Sequence, residues 1–365
     1  MAVHGQADRI PVTLLTGFLG SGKTTVLNHL VKQPEFSDAL VIINEFGEIP
    51  LDHLLVAHST EQVILDVSNG CVCCTVRADL VRTLQDIPWR FARQGRRQFG
   101  RVLIETTGLA DPAPIIHTLL NHPRIAAAYR LDGVVATVDA ATAGPTLDRH
   151  ALAVRQVAMA DVLLLTKAEL ISTSEYQSLD DRIARINPAA PRWPVRAGRI
   201  APARLVDPGL YRHPPGVAGG AGGNDHARAG GTAVQWRKDA APLAADAAFA
   251  ADRARPADAL GAVSFFIDDP IPPARLSAWL QALKGLMGPD MLRVKGILDV
   301  LGSEQPCVVH GVQHLLAPPL PLPAWPDAER RSRVVFVTDG IPRGRLVESV
   351  ALLGRTSLPT RERSA

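Results

Sequence analysis

An α/β domain built on a mainly parallel sheet, followed by a smaller α+β domain, is the fold class predicted for this 365-residue chain. Three observations carry that prediction. Short continuous apolar runs alternate with helix-sized segments over residues 1–200, a complete phosphate-loop motif lies between the first run and the first helix, and the composition changes near residue 200. Continuous apolar runs signal strands buried on both faces, and helix-sized connections between them signal parallel pairing.

Taken in order, residues 11–15 (PVTLL), 39–43 (ALVII), 62–65, 102–104, 133–138 (GVVATV) and 162–165 read as strands. Helices are expected near 23–31, 77–84, 114–120, 151–159 and 175–186. A Gly/Ala-rich stretch that includes GGAGG has little periodicity and reads as a linker. Periodicity returns with the strand VSFFI and the amphipathic segment PPARLSAWLQALKGL. Strand-like runs follow at 292–301, 308–312 and 334–337, with a last helix from about Arg343. The expected organisation is therefore 1–200 for the first domain, 201–260 for the linker and 261–365 for the C-terminal domain.

Charge excludes little and supports no polyanion partner. Thirty-nine Lys+Arg against 36 Asp+Glu leaves a net charge of +3, too small an imbalance to argue for nucleic acid. Arg90, Arg93, Arg96, Arg97 and Arg101, interleaved with Trp89, Phe91 and Phe99, read as a solvated basic surface with its aromatics turned to the core. MAVHGQADRIPV has no apolar signal core and no run approaches the roughly 18 apolar residues of a membrane span. A cytoplasmic protein, independent of membranes and nucleic acid, is expected.

Gly17, Phe18, Leu19, Gly20, Ser21, Gly22, Lys23 and Thr24 spell GFLGSGKT, a full match to G-x-x-x-x-G-K-[ST] in its required strand-to-helix context. Backbone N–H groups of such a loop turn onto phosphates, Lys23 reaches the β/γ oxygens, and Thr24 offers its hydroxyl to Mg²⁺. The first domain is thus expected to be a P-loop NTPase, with Thr25 extending the nucleotide-binding set. Glu105, at the end of a strand, is placed to serve the Mg²⁺ shell, and Gly108 to offer its N–H to the γ-phosphate. Thr166, Lys167 and Glu169 follow the strand VLLL where guanine-binding GTPases carry N-K-x-D. A carboxylate there accepts from guanine N–H groups in a pattern that adenine cannot match.

Three of the four cysteines, Cys71, Cys73 and Cys74, are bunched in SNGCVCC. Thiolates are soft ligands for Zn²⁺ or Cu(I), and three sulfurs cannot close a tetrahedral site, so a bound metal would stay exchangeable. A redox dithiol and packed structural thiols are the rival readings. His117 and His122 are candidates for a further ligand; His310 and His314 form a weaker pair, and Cys307 reads as an isolated buried thiol.

TLLTGFLGSGKTT, INEFGE, NGCVCC, IETTGLADP and the TKAEL loop, in this order, resemble the CobW-like metallochaperones, a branch of the P-loop GTPases that also includes urease and hydrogenase nickel-insertion factors. SFFIDDPIPPARLSAWL, MLRVKGIL and VVHGVQHL resemble the C-terminal domain of that family. The resemblance implies a GTPase that uses GTP and Mg²⁺, with Lys23, Thr24, Glu105 and Asp52 in the catalytic set. It also implies that residues 44–48 and Asp52 form the first switch, with Glu45, Glu48 and Asp52 as candidates to position the attacking water. Cys71, Cys73 and Cys74 would bind metal, zinc first and cobalt as the alternative, for transfer to a client metalloprotein. Cobalt insertion, metalloenzyme activation or a nucleotide-switched thiol-redox role are the alternatives. The C-terminal domain shows no catalytic constellation and is assigned to client docking or homodimerisation. Three features depart from the family pattern: Glu169 replaces the usual Asp, the linker region holds only His213 and His226, and no Cys-Pro tail precedes the first strand.

Overall fold

The computed structural model describes residues 9–43, 64–66, 75–94, 96–205, 260–322, 324–325 and 329–357. Residues 44–48, Asp52, Cys71, Cys73, Cys74 and the Gly/Ala-rich stretch fall outside the described residues.

In the first domain, strands β1 (Ile10–Gly17), β2 (Ala39–Ile43) and β3 (Ile64–Asp66) are joined by helix α1 (Lys23–Leu30) and later segments. Helix α2 (Thr75–Arg90) follows, then a small hairpin of β4 (Ala92–Arg93) and β5 (Arg96–Arg97), and β6 (Arg101–Glu105). Next come α3 (Ala113–Asn121), α4 (Pro123–Ala128), β7 (Tyr129–Asp139), α5 (Ala143–Arg149), α6 (Ala151–Met159), β8 (Val162–Thr166), α7 (Thr173–Ile186) and β9 (Arg192–Val195). The main sheet runs β3-β2-β6-β1-β7-β8-β9, every pair parallel.

Alternation along the strands explains the layering. On β2, Leu40 and Ile42 join the cluster packed under α2, α3 and α4, while Val41 and Ile43 join Val26, Leu27 and Leu30 of α1 on the other face. A period of two in a strand sends successive side chains to opposite faces, so both must be apolar when both are covered. Helix α7 starts from a capping box: Ser172 Oγ accepts from Glu175 N–H, and the Glu175 carboxylate accepts from Ser172 N–H at 2.8 Å.

The C-terminal domain is α+β, with a mostly antiparallel sheet covered on one face by two helices. Its elements are β10 (Leu260–Ile267), α8 (Pro273–Lys284), β11 (Met291–Leu298), β12 (Cys307–Val312), β13 (Leu315–Leu316), β14 (Leu320–Pro321), β15 (Ser332–Asp339), α9 (Arg343–Ala351) and β16 (Thr356–Ser357). The order is β13-β12-β11-β15-β10-β16, with β14 paired to β12. One face holds Val294, Leu298, Val334 and Phe336 against Trp279 of α8 and Leu346 of α9. The opposite face packs on the first domain: Leu292, Val335 and Val337 meet Ala158 and Ala189.

Charge is buried in that inter-domain face. Arg293, Lys295 and His310 project from it onto Asp161, which lies between α6 and β8; Arg293 pairs with the carboxylate and Lys295 Nζ lies 3.5 Å from it. Burial alone would raise the Asp161 carboxyl, but Arg293, Lys295 and the Val134 N–H outweigh it and hold the group below the usual carboxylate range. Burial, reinforced by the Arg293 cation, pushes the His310 imidazole down to about 3.

A pH dependence follows from His310. Its folded value lies below the ordinary imidazole value of about 6.5. The unfolded chain therefore binds a proton that the folded chain does not between those limits, and stability present above pH 6.5 is lost as pH falls through the window. Asp161, held below its ordinary value, contributes only at lower pH, and Lys295, pushed down to about 8 by burial, remains protonated here. The thermal midpoint is expected to fall from pH 7 to pH 5, and His310→Gln to flatten that fall. Equal slopes for the two proteins would refute the assignment.

Two expectations about side chains change. Phe99 is buried and Phe91 packs against the core, but Trp89 is 85% exposed. Cys307 is half-buried rather than enclosed, and burial raises its thiol. His310 lies in β12, whereas His314 falls beyond its end, so the two do not share a strand. No helix among the described residues is long and apolar enough to cross a membrane.

Candidate functional site

The site lies at the carboxyl ends of the parallel strands, where β1 is flanked by β6 and β7. Register does the placing. Leu15 pairs with Glu105 and Gly17 with Thr137, so the phosphate loop leaves the sheet between the ends of β6 and β7. Gly17 adopts φ +140, and a Cβ there would strike the Thr137 side chain and carbonyl. Only glycine fits such a position without strain. Ser21 Oγ and Thr137 Oγ1 share a 2.6 Å hydrogen bond beneath the loop.

Lys23 opens α1 and is buried, its Nζ donating to the Gly17 carbonyl at 3.1 Å and the Phe18 carbonyl at 3.3 Å. Thr24 Oγ1 donates to Glu105 Oε1 at 2.8 Å across 81 positions of sequence. A hydroxyl and a carboxylate in contact at the mouth of a phosphate loop form a hard oxygen donor set, which fits a divalent cation such as Mg²⁺. Phe18 anchors the loop tip, its ring stacked on His150 at 4.5 Å, while Leu19 is exposed.

After β6, Thr106 N–H donates to the Leu15 carbonyl and its hydroxyl to Thr16 Oγ1, tying the next turn to β1. Gly108 presses on the phosphate loop: a Cβ on it would fall 2.7 Å from the Leu19 backbone. Its own N–H makes no hydrogen bond among the described residues.

The third predicted segment reaches the same loop. Thr166 Oγ1 donates to the Ser21 carbonyl at 2.7 Å. Lys167, at φ 56, donates from Nζ to the Gly20 carbonyl at 3.0 Å and pairs with Asp139 Oδ2 at 2.7 Å. Glu169 is exposed on the short turn that follows, with its carboxylate at the solvent edge. The structure thus brings together Gly17 to Thr24, Glu105, Gly108, Thr166 and Lys167. His117, paired with Asn121 on α3, and His122, before α4, are not brought to a metal cluster among the described residues.

Asp139 and Gln156 were missed by sequence reasoning. Asp139 ends the strand read as GVVATV and was one residue beyond the run; an acid at a strand tip was the available signal. Gln156, inside an apolar helix, gave none.

Residues 11–194 match the CobW/HypB/UreG nucleotide-binding domain, and residues 260–352 match the cobalamin synthesis protein cobW C-terminal domain. The chain belongs to the CobW/HypB/UreG family. Among CobW-type relatives, zinc chaperone YjiA of Escherichia coli (strain K12) is 33% identical over 333 residues, covering 91% of this chain and 95% of that protein. Zinc chaperone CobW of a Sinorhizobium species is 33% identical over 55% of this chain and 63% of its own length. Zinc-regulated GTPase metalloprotein activator 1 of Schizosaccharomyces pombe is 32% identical over 53% of this chain and 47% of its own. The crystal structure of Zn(II)-bound YjiA GTPase from E. coli superposes with a TM-score of 0.64 at 28% identity, covering 95% of this chain and 99% of that one. This CobW-type chain therefore combines a P-loop NTPase domain with an antiparallel C-terminal domain.

Proposed function

We propose that this CobW-type protein hydrolyses GTP and, through that cycle, binds a thiophilic metal at Cys71, Cys73 and Cys74 and passes it to a client metalloprotein. Zinc is the metal of choice, because thiolates suit it and because the relatives matched over most or half of the chain are named zinc chaperones. The observation that carries the nucleotide part is the contact between Thr24 of an intact phosphate loop and Glu105 at the end of β6.

Lys23 neutralises β and γ oxygens, and the loop N–H groups orient the chain of phosphates. Thr24 and Glu105 would hold Mg²⁺, which would supply charge neutralisation on the phosphates. Gly108, packed on Leu19 of the loop, would offer its N–H to the γ-phosphate. Lys167 lies along the base pocket, and Glu169 accepts from the guanine ring, its extra methylene compensated by an exposed and adjustable position. Residues 44–48 and Asp52 would form the switch, with Glu45, Glu48 and Asp52 as the candidates to position water.

The metal part is supported by chain order. Strand β3 ends at Asp66 on the carboxyl edge of the sheet, and α2 begins at Thr75, directly after Cys74. Cysteines before a helix N-terminus have their thiolates favoured by the helix dipole. Changing metal affinity a hundred-fold through the nucleotide requires about 2.7 kcal/mol of coupling, within the ordinary allosteric range. By linkage the metal must change GTP affinity equally.

Metal analysis of anaerobically purified protein, with and without GTP, tests the reading against a Cys71/Cys73/Cys74 triple-alanine variant. Stoichiometric zinc in the parent, lost in the variant and altered by GTP, is expected. A reversible disulfide with no metal would transfer the site to redox chemistry, and GTP affinity indifferent to saturating zinc would sink the coupling.

A further inference from the structure

Gln156 is a buried polar side chain beside the phosphate loop that the nucleotide chemistry above leaves without a role. It lies on α6, is 1% exposed, and lines the cleft beside Phe18, Ser21, Thr137 and Asp139. Both hydrogens of its amide are used on one turn: Nε2 lies 3.0 Å from the Ala110 carbonyl and 3.4 Å from the Gly108 carbonyl. Its Oε1 has no hydrogen-bond partner among the described residues. Burying an unmatched amide oxygen is unfavourable, and an apolar side chain of equal volume would avoid it. The donors, then, are what this position needs.

The turn that they hold is the one carrying the Gly108 N–H. Leu19 of the phosphate loop presses on Gly108 from one side, and Gln156 grips the carbonyls from the other. Inside the turn, Leu109 N–H donates to Thr107 Oγ1 and Ala110 N–H to the Thr107 carbonyl. The neighbouring Arg155 reaches Asp111 at 3.7 Å and, across the domain boundary, Asp339 of β15 at 3.5 Å. At the C-terminal end of α6, Arg293 of the C-terminal domain donates to the Met159 carbonyl. The helix is therefore held at its middle and at its C-terminal end while it holds the turn.

We propose that Gln156 is a positioning residue for GTP hydrolysis: it fixes the Gly108–Ala110 turn so that the Gly108 N–H meets the γ-phosphate. The inference rests on the GTPase reading above. The γ-phosphate distinguishes GTP from GDP, so a residue acting through Gly108 affects the two nucleotides unequally. A structural residue would affect both alike.

The test uses the full chain and its Gln156→Leu variant, with single-turnover GTP hydrolysis, affinity for GDP and for a non-hydrolysable GTP analogue, and the thermal midpoint. Loss of the grip is expected to slow the single-turnover rate by about ten-fold or more, since small misplacements of a transition-state donor have effects of that size. Affinity for the analogue should fall and GDP affinity should hold within about two-fold, as the interaction lost is made only to the γ-phosphate. Gln156→Asn, which keeps the donors on a shorter stem, should recover part of the rate, and it carries the test if the leucine variant does not fold. An unchanged rate, or equal losses of GDP and analogue affinity, overturns the inference. If the parent chain hydrolyses no GTP, the GTPase reading itself falls, and this inference falls with it.

Discussion

Arg293→Ala is expected to cost about 3–5 kcal/mol of stability, the range seen when one partner of a buried ion pair is removed. The guanidinium is 3% exposed and its Asp161 partner fully buried; it also donates to the Met159 carbonyl at the end of α6. Alanine leaves Asp161 with Lys295 at 3.5 Å and the Val134 N–H at 2.9 Å, and strands the carbonyl. Asp161→Asn should be at least as harmful, since it leaves Arg293 and Lys295 buried together without a counter-charge. The double variant Arg293→Ala with Asp161→Asn should be less destabilised than the two single effects sum to, because Asp161→Asn then no longer leaves Arg293 buried without its counter-charge. Urea unfolding of the four proteins measures this coupling. A loss below about 1 kcal/mol for Arg293→Ala would mean that the pair behaves as a hydrated surface bridge.

That cluster also marks where sequence reading stops. Arg293 and Asp161 are separated by 132 positions, and nothing local to either announces the other. ALVII and VLLL were legible as strands because both faces of a covered parallel strand must be apolar, and β2 and β8 are buried throughout. Strand β9, RWPV, was not legible: it is the edge strand, half-exposed, where a proline that lacks an N–H is tolerated. The short helices α4 and α5 bury only Ile125 and Ala143 with Leu147, too few apolar positions to form a stripe. Trp89 was assigned inward from its neighbours, but the phase of α2 decides it. Leu80, Leu84 and Ile87 define the buried face, and a residue two beyond Ile87 is turned about 200° away from it. The phosphate loop, Glu105 and the Thr166-Lys167 pair were legible because their chemistry fixes residue types at short spacing. Asp139 and Gln156 act on backbone and charge that only the fold brings near.

Lys23→Ala is expected to lower kcat/KM for GTP by at least about a hundred-fold, the scale set by removing one fixed donor from a transition-state charge. The buried ammonium lies within the loop, on the Gly17 and Phe18 carbonyls, and no other lysine or arginine of the described residues donates to those two oxygens. Lys167 cannot replace it. Its Nζ is committed to Asp139 and to the Gly20 carbonyl. Because the proposed role of Lys23 is to span β and γ oxygens, GDP affinity should fall as well, in contrast to the selective effect expected at Gln156. Thr24→Ala separates a third contribution: it removes the partner of Glu105, so its defect should be eased by raised Mg²⁺, whereas that of Lys23→Ala should not. Nucleotide titrations and single-turnover rates across a magnesium series distinguish the three. Equal magnesium rescue of both loop variants would place the lysine's effect on loop shape rather than on phosphate charge.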